Sequence, residues 1–461
     1  MNTKTISLFA GPLAALLMYF LLIDTSAAAS TALAITAAVA ILCVIWWVFE
    51  PLPIPVTSLL PLAIFQMSGV LTKDEVGQSY GSPLILLLLG GFILSKSMER
   101  SGAHLRLALF MVNLFGGSSS KQLVLGFMVT AALLSMWISN TATTLMLLPV
   151  ALAVANQAKD KQLAVPLMLS IAFAASIGGI GTPIGTPPNL VFMQVYQQQF
   201  NKNIGFTEWM SWGVPVVLCM IPVTWLWLTR KLSYSGGFDM PDVGRWSSTE
   251  KRVMTIFALT ATAWITRKEP FGGWSTWLDL PAANDASVAL IAVILMFIMP
   301  DGKNRGEKLL DWETAKTIPW GILLLFGGGI TLAKAFGVSG LSAALADHLS
   351  ELSNLPVLLM IFAICLGVTF LTETTSNTAS TVLLMPVLAA TAMGSNIDPK
   401  LLMIPAAMSA SCAFMMPVAT APNSIVYASG FFTTKTMARE GIVLNFCGAI
   451  IITALSYLIL F

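Results

Sequence analysis

The sequence places the same polar triplet in two apolar stretches, Ser139-Asn140-Thr141 and Ser376-Asn377-Thr378. The twelve-residue segments that begin at these triplets match at eight positions without a gap. Hydroxyl and amide groups are costly inside a membrane unless they are paired or line a site. Their oxygens are hard, neutral ligands for an alkali cation, and their donor groups can hold a carboxylate. Two copies therefore predict one pseudosymmetric binding site, and the alternative is that they only cap a buried joint.

A second pair of matching segments follows the triplets, and both members interrupt an apolar run. Pro183 to Asn189 reads PIGTPPN, and Pro417 to Asn423 reads PVATAPN. Proline removes a backbone donor and clashes with the preceding turn, so neither segment can continue a regular helix. Unwound backbone is tolerated at membrane depth where it lines a cavity or is buried in protein. We therefore expect two discontinuous helices beside the triplets, although a simple proline kink is the alternative.

Charged groups are scarce near these motifs. Glu373 precedes the second triplet, whereas the first repeat has Met136 at the matching place. This carboxylate is either a structural hydrogen-bond acceptor, which we favour, or a cation or proton site. Because no Lys or Arg accompanies either triplet, an anionic substrate would be balanced by bound cations and helix termini.

The whole chain has the composition of a membrane protein. Its 461 residues are 56% hydrophobic and 10% charged, and the mean hydropathy is +0.81. Apolar runs near 20 residues recur throughout, which predicts an all-α polytopic membrane protein. The net charge of +2 gives no reason to expect a nucleic-acid partner. We see no phosphate loop, metal-ligand cluster or catalytic triad, so we expect neither an enzyme nor an organic cofactor.

The elements that must position the motifs follow from the apolar runs. Two runs, 123–157 and 355–394, hold a triplet near the middle, and three of the four halves are short for a full span. We interpret both as re-entrant hairpins, with ordinary paired spans as the alternative. Together with about 11 transmembrane helices they complete the predicted architecture. We place full or broken spans near 6–23, 32–49, 53–70, 82–97, 164–198, 210–229, 252–266, 284–300, 318–336, 401–430 and 441–461.

The matching segments divide the chain into inverted-topology repeats, since the two hairpins open to opposite sides. If the N-terminus is inside and the C-terminus outside, most of the 24 Lys and Arg residues fall on the cytoplasmic side of the membrane, as expected for a membrane protein. The predicted divisions are an N-terminal helix at 1–31, a first repeat at 32–230 with the broken helix 164–198, a cytoplasmic linker at 231–251, and a second repeat at 252–461 with the broken helix 401–430.

The duplicated Ser-Asn-Thr triplet, with the Thr-Pro-Pro-Asn break at 186–189, resembles the divalent anion/sodium symporter family over nearly the whole chain. Bacterial members of that family carry C4-dicarboxylates such as succinate. The resemblance implies an elevator-type transporter that forms a homodimer in the bacterial inner membrane, in contact with lipid.

The resemblance also implies ligands by position. The first sodium site takes Ser135, Ser139, Asn140 and Gly185, and the second takes Thr372, Thr375, Asn377 and Ala419. The substrate meets Asn140, Thr141, Asn377 and Thr378. Thr420 and Pro422 are further candidates, where Ala421 stands in place of the proline that would mirror Pro187.

These observations predict sodium-coupled symport of small dicarboxylates (succinate, malate, fumarate) by alternating access, with Na⁺ as the co-transported ion. The alternatives are a carrier of another anion, such as citrate or sulfate, or a proton-coupled or exchange carrier that uses Glu373.

Overall fold

The computed structural model describes residues 3–23, 28–115, 119–157, 160, 162–234, 244–268, 271–303, 306–349 and 355–461. In these ranges the chain is helical and forms no strand; one isolated bridge joins Pro300 and Lys308. The helices are α1 (Thr3–Leu22), α2 (Ala28–Phe49), α3 (Ile54–Thr57), α4 (Leu60–Met67), α5 (Lys73–Tyr80), α6 (Pro83–Ser101), α7 (Ala103–Phe115), α8 (Ser120–Ser135), α9 (Asn140–Gln157), α10 (Ala164–Gly179), α11 (Pro187–Phe200), α12 (Phe206–Thr229), α13 (Ser248–Ile265), α14 (Gly273–Trp277), α15 (Asp285–Ile298), α16 (Trp312–Ala315), α17 (Trp320–Val338), α18 (Leu341–Leu349), α19 (Val357–Leu371), α20 (Asn377–Gly394), α21 (Pro399–Ser409), α22 (Ala421–Tyr427) and α23 (Thr434–Leu460).

The prediction of an all-helical membrane protein is confirmed. Within the described ranges, 7 helical segments are long and apolar enough to cross a membrane by length and composition. Several further apolar helices are shorter than a full span. The span predicted over 53–70 is divided into α3 and α4, because the run contains three prolines, Pro53, Pro55 and Pro61.

Each triplet stands at the start of a helix that follows a sharp turn. The first turn (136–139, the first tip) joins α8 to α9, and Ser139 Oγ accepts a hydrogen bond from the Ala142 amide at 3.1 Å. The second turn (372–376, the second tip) joins α19 to α20, and Ser376 is the N-cap of α20. A serine at this position satisfies an amide that the helix leaves unpaired, so the sequence itself sets where both helices begin.

Two helices are interrupted where the sequence places its prolines. The first break (180–186) separates α10 from α11, and α11 begins on Pro187 and Pro188. The second break (410–420) separates α21 from α22, which has Pro422 in its first turn. Proline is well suited to the first turn of a helix but not to its interior, so each helix restarts there.

The two halves of the chain interlock in the core. The first hairpin helix α9 packs against α22, and the second hairpin helix α20 packs against α11. Each broken helix therefore supports the tip of the other half. This exchange brings tips and breaks that are more than 180 residues apart in sequence to one place.

Candidate functional site

Both tips and both breaks line a single cavity of about 950 Å³, which we call the central cavity. The first half contributes Ser139, Asn140 and Thr141 with Gly185, Thr186 and Pro187, and the second half contributes Thr374, Thr375, Ser376, Asn377 and Thr378 with Ala419, Thr420, Ala421 and Pro422. The cavity has the size of a small-molecule site and a lining rich in hydroxyl and amide groups.

Four helices begin at the wall of the central cavity, namely α9, α20, α11 and α22. The first amides of a helix have no partner within it, and the helix dipole gives this end a partial positive charge. Pro187 and Pro188 of α11 and Pro422 of α22 carry no amide hydrogen, so α11 and α22 contribute mainly through the dipole, whereas α9 and α20 also offer amide donors. A carboxylate placed among several helix starts is stabilised without any basic side chain.

The side-chain charges in the lining cancel. The lining contains two lysines, Lys4 and Lys96, and two glutamates, Glu50 and Glu99. Lys96 is already paired with Glu99 at 2.6 Å. The cavity therefore brings no net side-chain charge to a dianion.

The first tip surrounds the Asn140 side chain with oxygen atoms. The amide contacts the Ser135 hydroxyl and lies 3.3 Å from the carbonyl oxygens of Ala175 and Gly185. When the Asn140 amide nitrogen faces these oxygen atoms, it donates hydrogen bonds to them. If the amide oxygen is turned the same way, four oxygens surround a space that suits a cation.

The second tip repeats this arrangement with different residues. The Thr372 hydroxyl contacts the Asn377 amide oxygen, and it lies 3.1 Å from the Ala410 carbonyl oxygen. The Thr375 hydroxyl donates to the Leu371 carbonyl at 2.8 Å and lies 2.6 Å from the Ser380 hydroxyl. The Asn377 amide thus meets a hydroxyl from five residues earlier in the chain, as the Asn140 amide does.

A buried asparagine holds each break together. Asn189 Nδ2 donates to the carbonyl oxygens of Gly179 and Thr182, at 2.9 and 2.7 Å. Asn423 Nδ2 donates in the same way to Ala413 and Met416, at 2.9 and 3.0 Å. Each side chain spans the unwound segment and compensates for helix bonds that the prolines remove.

The two breaks differ in what anchors their amides. In the second, the Glu373 carboxylate accepts from the amides of Phe414, Met415 and Met416 at 2.8–2.9 Å, and from Asn445 Nδ2 at 2.8 Å. The residue is 4% exposed. Four donors around one buried carboxylate fit the structural role that the sequence favoured.

In the first break a hydroxyl takes that place. The Thr182 hydroxyl donates to the Met136 carbonyl and accepts from the Gly185 amide. Gly179 and Gly185 also approach closely here, since a Cβ on Gly185 would lie 2.5 Å from the Gly179 carbonyl oxygen. The matching residues of the second break are Ala413 and Ala419, so this close approach of two glycines within the break occurs in the first break and not in the second.

Most of the residues that the sequence predicted as ligands lie on the central cavity. Ser135 and Thr372 do not line it; both are fully buried behind the tips, in contact with Asn140 and Asn377. Thr186 lines the cavity but was not predicted as a ligand, and no cap hydrogen bond occupies its side chain. Its position matches Thr420 in the second break, and that match is the signal that could have identified it.

The fold and the cavity define a class, an all-helical multi-pass membrane protein with a polar central cavity. Two solved structures share the fold: MtrF of Neisseria gonorrhoeae, at 14% identity and a TM-score of 0.59, covering 86% of this chain and 83% of that one, and the YdaH transporter of Alcanivorax borkumensis, at 14% identity and a TM-score of 0.58, covering 86% and 88%.

The family model described as "Citrate transporter" matches residues 44–399. The sodium-dependent dicarboxylate transporter SdcS of Staphylococcus aureus strain MRSA252 is 40% identical over 439 residues, which is 90% of this chain and 84% of the relative. The protein of the same name from strain MSSA476 is 39% identical over the same coverage. The chain therefore belongs to the citrate transporter family, and the predicted resemblance to divalent anion/sodium symporters is confirmed.

Proposed function

We propose that this protein is a sodium-coupled symporter of small dicarboxylates, and not an enzyme. The observation that carries the proposal is the convergence of four helix starts on a cavity whose side-chain charges cancel. Such a cavity offers donors to two carboxylates but leaves their charge to be balanced by cations. Relatives at 40% identity are named sodium-dependent dicarboxylate transporters, which supports Na⁺ and a dicarboxylate as the cargo.

In this proposal the two tips each hold one sodium ion. The first site takes Ser135, Ser139, Asn140 and Gly185, and the oxygen cluster around Asn140 supports it. The second takes Thr372, Thr375, Asn377 and Ala419. The dicarboxylate lies between Asn140 and Thr141 of one tip and Asn377 and Thr378 of the other, with Thr420 and Pro422 at the second break.

Sodium binding and anion binding are then coupled by charge. Two carboxylates in a cavity of zero net side-chain charge repel one another, and each bound cation lowers that repulsion. The anion binds well only after the sodium ions, so substrate alone does not load the carrier.

The central cavity extends from the tips to Lys4 of α1 and to Lys96 and Glu99 near the end of α6. The sequence assigns this end to the inside, so we infer that the structure is the inward-open state.

We further propose that the chain forms 11 spans and two re-entrant hairpins, arranged in inverted repeats (32–230 and 252–461, joined by 231–251). A homodimer in the bacterial inner membrane, N-terminus inside and C-terminus outside, works by elevator-type alternating access.

The test is uptake of labelled succinate into proteoliposomes with an imposed sodium gradient. Asn140→Ala and Asn377→Ala should each reduce the initial rate at least tenfold, because each removes an amide whose oxygen would hold a cation and whose nitrogen would donate to the substrate. Asn156→Ala is the matched control, since Asn156 is exposed near the end of the same helix as Asn140. Wild-type rates in either cavity variant would contradict the proposal.

A second candidate cargo is citrate, which the description of the family model names. Competition by unlabelled succinate, malate, fumarate, citrate and sulfate in the same assay separates the candidates. Displacement by citrate or sulfate, with none by succinate, would replace the dicarboxylate assignment.

A further inference from the structure

A second cavity, of about 430 Å³, lies apart from the central cavity and shares no lining residue with it. It is formed where α10 begins, α12 ends and α23 begins, and we call it the basic cavity. Its volume is in the range of small-ligand sites. Nothing in the transport cycle proposed above uses it.

The lining of the basic cavity is strongly cationic. It contains four basic residues and one acidic residue, Arg230, Lys231, Lys435, Arg439 and Glu440. Glu440 is shared, at 2.7 Å from the Arg230 guanidinium and 3.8 Å from that of Arg439. Within the described part of the chain, neither lysine has an acidic partner within 4.0 Å. Among the described residues one carboxylate does not neutralise this group, so the cavity offers a site for an anion.

One of these charges is placed against the preference of its own helix. Lys435 lies in the first turn of α23, where the helix dipole disfavours a positive charge. Thr433, the N-cap, and Thr436 add hydroxyl groups to the same wall. Lys435 therefore does not serve the stability of the helix, whereas an anion held beside it would relieve the repulsion.

The opposite wall of the basic cavity is apolar, with Val165 and Leu169 from α10 and Leu228 from α12. Outside the cavity, exposed apolar side chains continue along α12 and α23. Leu226 is 59% exposed, one turn before Arg230, and Phe446 and Ile450 on α23 are 43% and 55% exposed. Such surfaces on membrane-spanning helices contact acyl chains. The basic cavity thus lies at the ends of two helices whose exposed faces are apolar.

We propose that the basic cavity binds the phosphate-bearing headgroup of an anionic phospholipid, whose acyl chains lie along α12 and α23. Guanidinium and ammonium groups are the usual partners of phosphate oxygens, and basic pockets between membrane helices bind acidic headgroups. Free phosphate offers the same oxygens, but it makes no use of the apolar wall or of the exposed apolar side chains along α12 and α23.

The experiment measures binding of phosphatidylglycerol to the full-length protein in phosphatidylcholine nanodiscs, by native mass spectrometry and by the shift in unfolding temperature. The test variant is Lys231→Gln/Lys435→Gln, which removes two exposed charges that have no ion-pair partner among the described residues. Each basic residue near an acidic headgroup strengthens binding roughly fivefold, so the double variant should bind about 25-fold more weakly. Lys231→Arg/Lys435→Arg keeps the charge and should retain binding.

The matched control is Lys73→Gln/Lys202→Gln, which makes the same change of charge at two exposed lysines outside this cavity. It should bind phosphatidylglycerol as the wild type does. Unchanged binding by the test variant would overturn the proposal, and so would an equal loss in the control. Stabilisation by inorganic phosphate equal to that by phosphatidylglycerol, at the same phosphate concentration, would assign the cavity to a free anion and also overturn it.

Discussion

The Glu373→Gln variant tests whether the buried carboxylate holds the second break in shape. The amide that replaces it keeps one acceptor oxygen. If that oxygen stays with Phe414, Met415 and Asn445, the new NH₂ group faces the Met416 amide, which now lies 2.9 Å from a carboxylate oxygen. Two donors then meet, and one buried amide loses its partner.

The size of the effect follows from this count of hydrogen bonds. An unsatisfied buried amide costs about 1–3 kcal/mol, and each of three charge-assisted bonds weakens by roughly 1 kcal/mol when it becomes neutral. Relief from burying a charge opposes this loss. We expect the unfolding free energy to fall by about 2–4 kcal/mol, because a broken network in the interior is seldom fully compensated.

The assay combines thermal unfolding of the purified variant with sodium-dependent succinate uptake. The unfolding temperature should fall by several degrees. The half-saturating sodium concentration should rise about tenfold for each 1.4 kcal/mol that sodium binding must now supply to order the break. Glu313→Gln is the control, since its carboxylate is 76% exposed.

Two results would refute this reasoning. An unfolding temperature and sodium dependence equal to those of the wild type would show that the carboxylate does not support the break. An unchanged unfolding temperature with loss of proton dependence alone would instead favour the proton-coupled alternative.

Three further predictions concern single positions. Gly185→Ala should lower uptake at least tenfold, because its Cβ would lie 2.5 Å from the Gly179 carbonyl oxygen. Ala419→Gly, the reverse change at the matching place, should keep more than half of the rate; equal effects would contradict the difference between the breaks. Thr186→Val should raise the KM for succinate about fivefold with little change in kcat, because a typical hydrogen bond contributes about 1 kcal/mol; an unchanged KM would remove Thr186 from the site. Asp311→Ala should lower the unfolding temperature at pH 7 but much less at pH 3. The Thr314 amide, which donates to this carboxylate, and the Arg100 guanidinium hold the pKa of Asp311 below its usual value. The Asp311 carboxylate therefore stabilises the fold at pH values above its usual pKa, and this stabilisation is lost as the pH falls through the lowered pKa. The same loss of unfolding temperature at both pH values would contradict this.

The helical class, the turns and the interruptions could be predicted because their signals are local. Long apolar runs indicate membrane helices, serine before an apolar segment indicates a helix start, and proline after a glycine or threonine indicates an interruption. The duplication added the inference that the two motifs meet. That step needed no knowledge of packing, since matching segments in two halves of a membrane carrier commonly share one site.

The partners of Glu373 could not be predicted from the sequence. They come from the second break and from α23, between 41 and 72 residues away along the chain. The first repeat gave no hint either, because Met136 stands in its place and a threonine hydroxyl supports that break instead. The span over 53–70 is a different case, because its three prolines are a local signal that the prediction gave less weight than the apolar composition.

The cancelled charges of the central cavity also bear on how membrane voltage acts on the carrier. A lining with two lysines and two glutamates contributes no charge of its own when the site is empty. Voltage then acts mainly on the loaded form, in proportion to the sodium ions in excess of the two charges of the substrate. With two sodium ions the loaded step is electroneutral, whereas a third lets every 100 mV, negative inside, add about 2.3 kcal/mol to inward movement.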